Sequence, residues 1–376
     1  MKRIFYYMTV IMIAAGCGAS NQNGNSNGSN CSTTVDGFTT MDIECTGGNK
    51  IAFKDLVDSV RVIVLDESTE DALIGRFVIN IHKGGGRIIV EDDSDRPVKF
   101  FDANGKFIKS LRKGPGPGEV DIIEAECYNP VANEYLVYNG GTISVFDSDG
   151  NFKSKTNVPF EFGKMTCMND DYLFYIFPAM ANKDLFFSFV VTDKNFNIKF
   201  KALPYKHQIM PILGGPDSHY FRNFGNRVEF PNNDTIYSYD GTSLTPKSYI
   251  SYSEKRTYEE ISKRVLTVYA SDGVTQLVHV TSNDPYEWFQ MVRNEKTGHS
   301  FAYQCDDDNY DDDSDLYFWT QAMEDGDMCM IIGSPGAVKV FLRSIADKLT
   351  PTQKSMFENF ETKDQHTLVL FKFKDF

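Results

Sequence analysis

The sequence predicts an all-β fold, a six-bladed β-propeller closed by an N-terminal strand that joins the last blade, with short helical insertions. The chain has 376 residues, of which 41% are hydrophobic and 14% aromatic, enough for a large core. A hairpin motif recurs along it, and only two segments show helical spacing. All-β closed folds often exceed the usual domain size, so one domain can account for the whole length.

The recurring motif is a pair of short apolar-alternating runs joined by a turn that begins with Asp or Asn. These turn residues are Asp102, Asp147, Asp193, Asp240 and Asn294, and successive ones are separated by 45 to 54 residues. Four short strands with their turns occupy roughly 40 to 50 residues, so this period is typical of propeller blades. Asp, Asn and Gly suit such turns because they tolerate positive φ or bond to their own backbone.

Two further strands are predicted upstream of each hairpin. They lie at 77–81 and 87–91, 122–128 and 134–138, 164–168 and 172–177, 219–223 and 227–230, and 265–270 and 275–280. The glycine-rich segment 82–86 is predicted to be a hairpin turn, because it lacks the Gly-Lys-Ser/Thr ending and the helix of a phosphate loop. In the last blade, strands at 316–321, 328–333 and 366–374 are joined by a fourth from 60–65, which removes exposed edges.

Two segments, 254–264 and 343–360, have helical spacing. The second carries an apolar stripe formed by Ile345, Leu349, Met356 and Phe357, and Pro351 divides it into two pieces. Both are expected to be insertions packed on an outer face, with the stripe in the core rather than in a ligand site.

The N-terminus predicts the cellular location. Lys2 and Arg3 precede an apolar run at 4–15, and Ala14-Ala15-Gly16 places small residues before Cys17. This pattern resembles a bacterial lipoprotein signal, which implies cleavage before Cys17, lipidation of that cysteine and a lipid anchor in the membrane. The alternative is an ordinary secretory signal. We therefore expect a signal peptide at 1–16, a flexible polar tether at 17–48 and the propeller at 49–376, located in the cell envelope as an outer-membrane lipoprotein facing the periplasm or the surface.

Charge and cysteine content limit the partners. The formal net charge is -14, and it becomes -16 once the two basic residues of the signal are removed. Such acidity argues against nucleic acid as a partner. None of the remaining cysteines, Cys31, Cys45, Cys127, Cys167, Cys305 and Cys329, forms a C-x-x-C pair. Cys31 and Cys45 are close enough in sequence to bridge, and buried free thiols are favoured for the others.

Three motifs carry a family resemblance. KGPGPGE at 113–119, FPNNDTIY at 230–237 and the terminal LVLFKFK resemble markers of the six-bladed β-propeller lipoproteins of gut-dwelling Gram-negative bacteria. The similarity covers most of the chain from about Phe53 onward and implies the fold and the envelope location, whereas the family is largely uncharacterised in function. The family's Asn-Asp-x-Asp-Gly-Gly turn is replaced here by CDDDNYDDDSD at 305–315.

That acidic run is the first candidate site. Its carboxylates repel one another, which a hard cation such as calcium would relieve. The candidate metal ligands are Asp306, Asp307, Asp308, Asp311 and Asp313. The EF-hand template does not fit, because Asp312 and Phe318 stand where glycine and glutamate are needed. A solvated acidic loop is the alternative.

The linker at 204–222 is the second candidate site, because long ordered loops are often functional. Its candidate ligand-binding residues are His207, Asp217, His219, Tyr220 and Arg222. We expect it to surround one mouth of the central channel, on the same face as the loop at 114–118. The alternative is a solvated connection.

No catalytic residue is predicted, because the sequence contains neither Gly-x-Ser-x-Gly nor His-Glu-x-x-His. Six-bladed propellers include calcium-dependent lactonases and esterases, and by this analogy Glu124, Glu126, Asn223 and Asp284 could approach a channel. We expect a binding or scaffold module for a glycan or an envelope protein, with calcium as the one cofactor considered. The alternative is a calcium-dependent hydrolase or lyase that uses the channel.

Overall fold

The structure is a computed structural model in which part of the chain is described. The described residues are 29–30, 32–35, 38–42, 53–168, 170–177, 180, 186–204, 222–224, 227–229, 235–251, 265–271, 275–281, 288–294, 296–297, 299–305, 321–333, 338, 341–342, 345–358 and 365–375. No helix among them is both long enough and apolar enough to cross a membrane.

The fold is mostly β and is built from four-stranded antiparallel sheets of the β-propeller type. Within the described ranges, six sheets contain such a four-stranded unit, and residues 29–42 add strands to two of them; we number the units in chain order. Sheet 1 contains Val78–Gly84, Arg87–Asp92, Val98–Asp102 and Phe107–Leu111. Sheet 2 contains Ala125–Asn129, Glu134–Asn139, Thr142–Asp147 and Phe152–Asn157. Sheet 3 contains Lys164–Met168, Asp171–Tyr175, Phe187–Thr192 and Ile198–Pro204.

The other three units follow the same plan. Sheet 4 contains Arg222–Phe224, Arg227–Glu229, Thr235–Tyr239 and Leu244–Ser251. Sheet 5 contains Val265–Ser271, Thr275–Thr281, Trp288–Asn294 and His299–Cys305. Sheet 6 contains Gln321–Ala322, Met328–Ile332, Thr367–Phe373 and the N-terminal strand Val57–Val64. The N-terminal strand Val57–Val64 pairs antiparallel with Thr367–Phe373, the last strand of the chain among the described residues.

The hairpin turns follow one local rule. Oδ1 of Asp102 accepts hydrogen bonds from the N–H groups of Asn104 and Lys106, at 2.8 and 3.0 Å. The same side-chain-to-backbone arrangement recurs at Asp147, Asp193, Asp240 and Asn294. An Asx turn of this kind replaces ladder hydrogen bonds that the backbone loses where the chain reverses, which is why the motif recurs once per hairpin.

The core lies between neighbouring sheets. Sheets 6 and 1 enclose a cluster that includes Ile88 and Leu370, and sheets 1 and 2 enclose one that includes Phe100. Further clusters lie between sheets 2 and 3, around Phe174, and between sheets 3 and 4, around Tyr239. Because each of these four clusters lies between two neighbouring sheets, the packing is of the kind found between propeller blades.

Residues 29–42 differ from the prediction. The strand Ser29–Asn30 pairs with the fourth strand of sheet 5, and Phe38–Asp42 pairs with Ser32–Val35 and, in parallel, with the fourth strand of sheet 4. The expectation of a flexible tether is wrong for these three strands. Pairing at a sheet edge uses main-chain hydrogen bonds, so a polar segment rich in Ser and Thr can provide it without apolar side chains.

The helical insertion is confirmed only in part. A 3-10 helix at Ala346–Lys348 and an α-helix at Pro351–Glu358 are separated as predicted, since proline is tolerated at the first helical position. Ile345, Leu349 and Phe357 are buried against sheet 6, but Met356 is 37% exposed, so its assignment to the buried stripe is wrong. The predicted helix at 254–264 lies outside the described residues. Short helices also form at Phe53–Leu56 (α) and Glu70–Ala72 (3-10).

Candidate functional site

Charged and amide side chains are buried where sheets 1, 2, 3 and 6 meet. They come from the first strands of sheets 1, 2 and 3, from the second strand of sheet 1, and from the turn after the first strand of sheet 6. We call this group the buried polar cluster, and it consists of Asn80, His82, Glu91, Glu126, Lys164 and Glu324. Buried ionisable groups with shifted pKa values are concentrated at functional sites, so this cluster is the candidate site.

His82 lies at the centre of the cluster. Its Nε2 is 2.5 Å from Oε2 of Glu126, and its Nδ1 contacts Oε1 of Glu324. The ring also packs against Tyr135, with the ring centroids 5.9 Å apart. Burial alone would lower the pKa of His82, but the two carboxylates raise it to about 10, so the side chain is an imidazolium at neutral pH.

Glu91 and Lys164 complete the charge balance. Burial, reinforced by repulsion from Glu126, raises the pKa of Glu91 to about 8, so this carboxyl group is mostly protonated at neutral pH. Burial lowers the pKa of Lys164, and attraction to Glu126 and Glu91 opposes that change. Asn80 donates from Nδ2 to Oε1 of Glu126. The cluster therefore holds an imidazolium between Glu126 and Glu324, beside a mostly protonated Glu91 and a lysine whose pKa is lowered.

Tyr135, in the second strand of sheet 2, adds an unused hydrogen-bonding group. Its side chain is fully buried, and its hydroxyl has no hydrogen-bond partner among the described residues. Burial raises the pKa of the Tyr135 hydroxyl well above its ordinary value, and the neighbouring Glu126 and Glu91 raise it further. Because buried hydroxyls are normally bonded, this hydroxyl, which has no partner among the described residues, is a candidate contact for a ligand.

Lys83 holds the turn of sheet 6 against sheet 1. Its Nζ lies 2.7 Å from Oδ2 of Asp327 and also contacts Asp325, while its backbone N–H donates to Oε2 of Glu324 over 2.9 Å. These bonds fix Glu324 beside His82. Within the described ranges, no group of three His, Cys, Asp or Glu side chains is arranged to hold a metal ion.

The 113–119 loop connects sheets 1 and 2 and lies beside a small cleft. Oε2 of Glu119 accepts from the N–H of Gly116 at 3.0 Å, and a Cβ at position 114 would lie 2.3 Å from that oxygen. A side chain at position 114 would therefore displace the Glu119 carboxylate from the loop. The adjoining cleft, of about 120 Å³, is lined by Pro115, Asn139 and Lys155 among others, and it is too small for a drug-sized ligand.

Most of the residues predicted as ligands lie outside the described residues. His207, Asp217, His219 and Tyr220, as well as Asp306, Asp307, Asp308, Asp311, Asp313 and Cys17, are outside the described residues. Arg222 begins the first strand of sheet 4. Of the residues considered by analogy with lactonases, Glu126 belongs to the buried polar cluster, whereas the exposed Glu124 accepts a hydrogen bond from the N–H of Gly140.

His82 itself was assigned to a turn by the sequence, and this assignment is wrong. The first strand of sheet 1 continues to Gly84, and the turn consists of Gly85 and Gly86, whose φ angles are 56° and 77°. His82 is therefore a strand residue, only 4% exposed. The available signal was the alternation of Asn80 and His82 with Ile79 and Ile81, which places two polar side chains on one side of the strand.

Comparison with known structures shows the fold. A protein of Bacteroides fragilis NCTC 9343 named "putative exported protein" matches with a TM-score of 0.66 and 14% identity, over 87% of this chain and 98% of its own. BamB from Moraxella catarrhalis matches with a TM-score of 0.35 and 11% identity, over 65% of this chain and 66% of its own. The extracellular domain of a one-component system of B. thetaiotaomicron matches with a TM-score of 0.36 and 10% identity, over 74% of this chain and 32% of its own. The last two scores are too low to support any argument about this chain.

No curated protein matches the sequence. A family model does match, over residues 38–372, which is most of the chain and includes all six sheets. The chain therefore belongs to the family described as "Domain of unknown function (DUF4934)".

Proposed function

We propose that this chain is an exported, lipid-anchored, six-bladed β-propeller that binds a glycan at the buried polar cluster. The observation that carries the proposal is the joining of charged side chains from four different sheets around His82. Sheets can pack with apolar side chains alone, so a cluster of buried charged groups beside the Tyr135 hydroxyl, which has no partner among the described residues, points to a function other than packing.

The blade count is supported by the order of the sheets. First strands of consecutive sheets lie side by side for sheets 2 and 3, 3 and 4, and 5 and 6, while His82 links sheets 1, 2 and 6. Sheet 6 takes its outer strand from the N-terminal side of the fold. A closed ring satisfies all these neighbours and leaves the first strands facing a common centre.

The charge balance of the cluster favours a neutral, hydroxyl-rich ligand. The His82 imidazolium faces the carboxyl groups of Glu126 and Glu324, and Glu91 is mostly protonated, so the cluster does not present charge of a single sign. The Tyr135 hydroxyl can both donate and accept a hydrogen bond, which matches the mixed hydrogen bonding of sugar hydroxyls.

Exposed apolar side chains lie at the end of the sheets where the cluster strands begin. Phe77 precedes the first strand of sheet 1 and is 55% exposed, and Ile122 precedes that of sheet 2 and is 50% exposed. The 113–119 loop leads from the fourth strand of sheet 1 towards the first strand of sheet 2, just before Ile122. An exposed aromatic ring such as that of Phe77 suits sugar recognition, because ring stacking supplements hydrogen bonds.

The metal-dependent hydrolase is the weaker alternative. Both ring nitrogens of His82 already contact carboxylates, and Glu126 is also bonded by Asn80, so these groups are committed to one another in this arrangement. Support for that alternative would have to come from the acidic run at 305–315, where calcium would raise the melting temperature of a binder.

Binding can be tested with the purified full-length chain in detergent on a glycan array, followed by calorimetry with the glycans retained. Tyr135→Phe removes only the unpartnered hydroxyl, so we expect unchanged stability and affinity lower by roughly 10-fold, the loss of one good hydrogen bond. Lys153→Gln, in an exposed pair with Glu134, is the matched control and should bind normally. A folded chain that retains no glycan, or a Tyr135→Phe variant that binds like the wild type, would overturn the proposal.

The anchor has a separate test. Cells expressing the chain are grown with a fatty-acid probe, and the wild type is expected to be labelled in the envelope fraction. Cys17→Ala should abolish the label, because the acyl chains have no other predicted attachment point. Labelling that persists in this variant would refute lipidation at Cys17.

A further inference from the structure

Cys127 and Cys167 meet between sheets 2 and 3. Each lies in the first strand of its sheet, and their Sγ atoms are 3.1 Å apart. Both side chains are buried, with exposures of 4% and 8%. The two residues are 40 positions apart in the sequence, so the contact is a product of sheet packing.

Strand alternation explains why the two thiols face each other. On sheet 2, Ala125 and Cys127 point into the apolar cluster shared with sheet 3, while Tyr128 belongs to the cluster on the sheet 1 side. On sheet 3, Met165 and Cys167 enter that same shared cluster. The two first strands are neighbours, which brings the sulfur atoms together at one level.

We propose that Cys127 and Cys167 form a disulfide that joins sheets 2 and 3. A bond requires the sulfur atoms to come within about 2.05 Å, so they need to approach by only about 1 Å. Both residues sit in strands that already pack against each other, and a side-chain rotation can cover that distance without moving a sheet. The proposal rests in part on the proposed export, because disulfides persist in oxidising compartments.

The reaction is a thiol–disulfide exchange with a disulfide donor, such as an oxidised dithiol oxidoreductase or glutathione disulfide. The thiolate of one cysteine attacks a donor sulfur and releases one donor thiol, and the second cysteine then attacks the mixed disulfide and releases the other. The chain loses two electrons and two protons, which the donor gains as it becomes two thiols. Exchange must occur while the sheets dock, because both sulfurs are buried afterwards.

Once the sheets have packed, burial protects the disulfide from further thiol–disulfide exchange. Burial and the neighbouring Cys167 raise the pKa of the Cys127 thiol well above its ordinary value, so a reduced pair in the folded chain would provide little thiolate for later exchange. The bond would also fix the strand that carries Glu126, which directly precedes Cys127. The disulfide thus stabilises the first strand of sheet 2 beside the buried polar cluster.

The test uses the full-length chain isolated from the cell envelope without reductant. The protein is denatured, alkylated with a maleimide and digested, and its peptides are identified by mass spectrometry. We expect the Cys127 and Cys167 peptides to be recovered cross-linked, and Cys329, a buried cysteine of sheet 6, to be alkylated. Reduction should lower the melting temperature of the wild type by roughly 5 to 10 °C, and it should not change that of Cys127→Ala/Cys167→Ala.

Recovery of both cysteines as alkylated peptides from folded envelope protein would overturn the disulfide and leave the proposed export intact. If the chain is instead found in the cytoplasm, the export fails, and the disulfide is decided by refolding purified chain in a glutathione redox buffer. Cross-linked peptides from chain that has regained its circular dichroism spectrum would support the pair, and alkylated ones would refute it. Cys329→Ala controls for the loss of a buried thiol.

Discussion

Replacement of His82 by glutamine should destabilise the chain in a way that depends on pH. Glutamine can keep one hydrogen bond but carries no charge, so Glu126 and Glu324 lose the imidazolium between them. Removing one partner of a buried ion pair typically costs about 3 to 5 kcal/mol, since it leaves a buried charge without compensation. We expect a loss of this size in the free energy of unfolding at pH 7.

The pH dependence follows from the pKa of His82, about 10 in the folded chain and 6.5 ordinarily. Between these values the folded state holds a proton that the unfolded state has released. The stabilisation is therefore fully present below about pH 6.5 and is lost as the pH rises through 10. A pKa difference of this size corresponds to roughly 5 kcal/mol, similar to the expected cost of the substitution.

Glu91 also makes the fold less stable as the pH rises, but over a lower pH range than His82. The pKa of Glu91 is about 8 in the folded chain and 4.5 ordinarily. The stability that this group contributes is therefore also lost as the pH rises, here between about 4.5 and 8. The His82 imidazolium holds the pKa of Glu91 down, so His82→Gln raises that pKa further, and the difference between wild type and variant reports on the coupled pair. That difference should fall to below about 2 kcal/mol near pH 10.

The assay is urea unfolding followed by circular dichroism, at intervals from about pH 6 to pH 10. Lys153→Gln breaks an ion pair whose lysine side chain is 46% exposed, and it should cost less than about 1 kcal/mol. A difference between wild type and His82→Gln that stays constant over the pH range, or that is below about 1 kcal/mol at pH 7, would refute the charged His82.

Three further predictions concern stability and are measured by urea unfolding at pH 7. Gly105→Ala should cost about 2 kcal/mol or more, because φ is +84° there and the new Cβ would lie 2.3 Å from the carbonyl oxygen of Val64; an effect near zero would contradict this packing. Asp147→Ala should cost about 1 to 2 kcal/mol whereas Asp147→Asn should be nearly neutral, since either side chain can accept the turn hydrogen bonds; equal costs would exclude the Asx turn as the cause. Lys99→Met should cost about 3 to 5 kcal/mol, because Asp92, 2.5 Å away and fully buried with it, would lose its counter-ion; a loss below about 1 kcal/mol would show that the pair does not hold the fold.

Acid should also weaken the hairpin turns. Although burial opposes it, hydrogen bonds from Asn151 hold the pKa of Asp147 below its usual value. Stability from a lowered carboxyl pKa is present above the ordinary value of 3.8 and is lost as the pH falls through the folded value. The Asp147→Asn variant should therefore lose less stability than the wild type below about pH 4, as measured by thermal unfolding; an equal loss would show that this carboxylate has no part in acid unfolding.

The repeat could be predicted because its signals are local. Each hairpin turn depends on one Asx side chain and on backbone groups within four residues, as at Asp193, so the pattern is complete in a short window of sequence. The strand Lys164–Met168 has the bounds that its apolar residues predicted. The edge strands at 29–42 lacked such a signal, because they pair through their main chain and their side chains are mostly Ser and Thr.

The buried polar cluster could not be found in the same way, because its contacts are distant in sequence. His82 is 242 residues from Glu324, and Asn80 is 46 residues from Glu126. Nearby, the glycines at 84–86 carry a strong turn signal, and this signal led to the assignment of His82 to the turn.

Strict use of the two-residue alternation of a β-strand would have assigned His82 to the strand. In the stretch from Ile79 to His82, polar and apolar residues alternate, so a strand puts both polar side chains on one side. In a fold where blades bury their faces, a histidine on such a side needs a counter-charge, and the nearest source is the first strand of the next blade. Glu126, already considered because it lies near a strand end, meets that requirement. Charge balance between first strands of neighbouring repeats is therefore a sequence criterion that depends on the fold, and here it leads from the hairpin period to the candidate site.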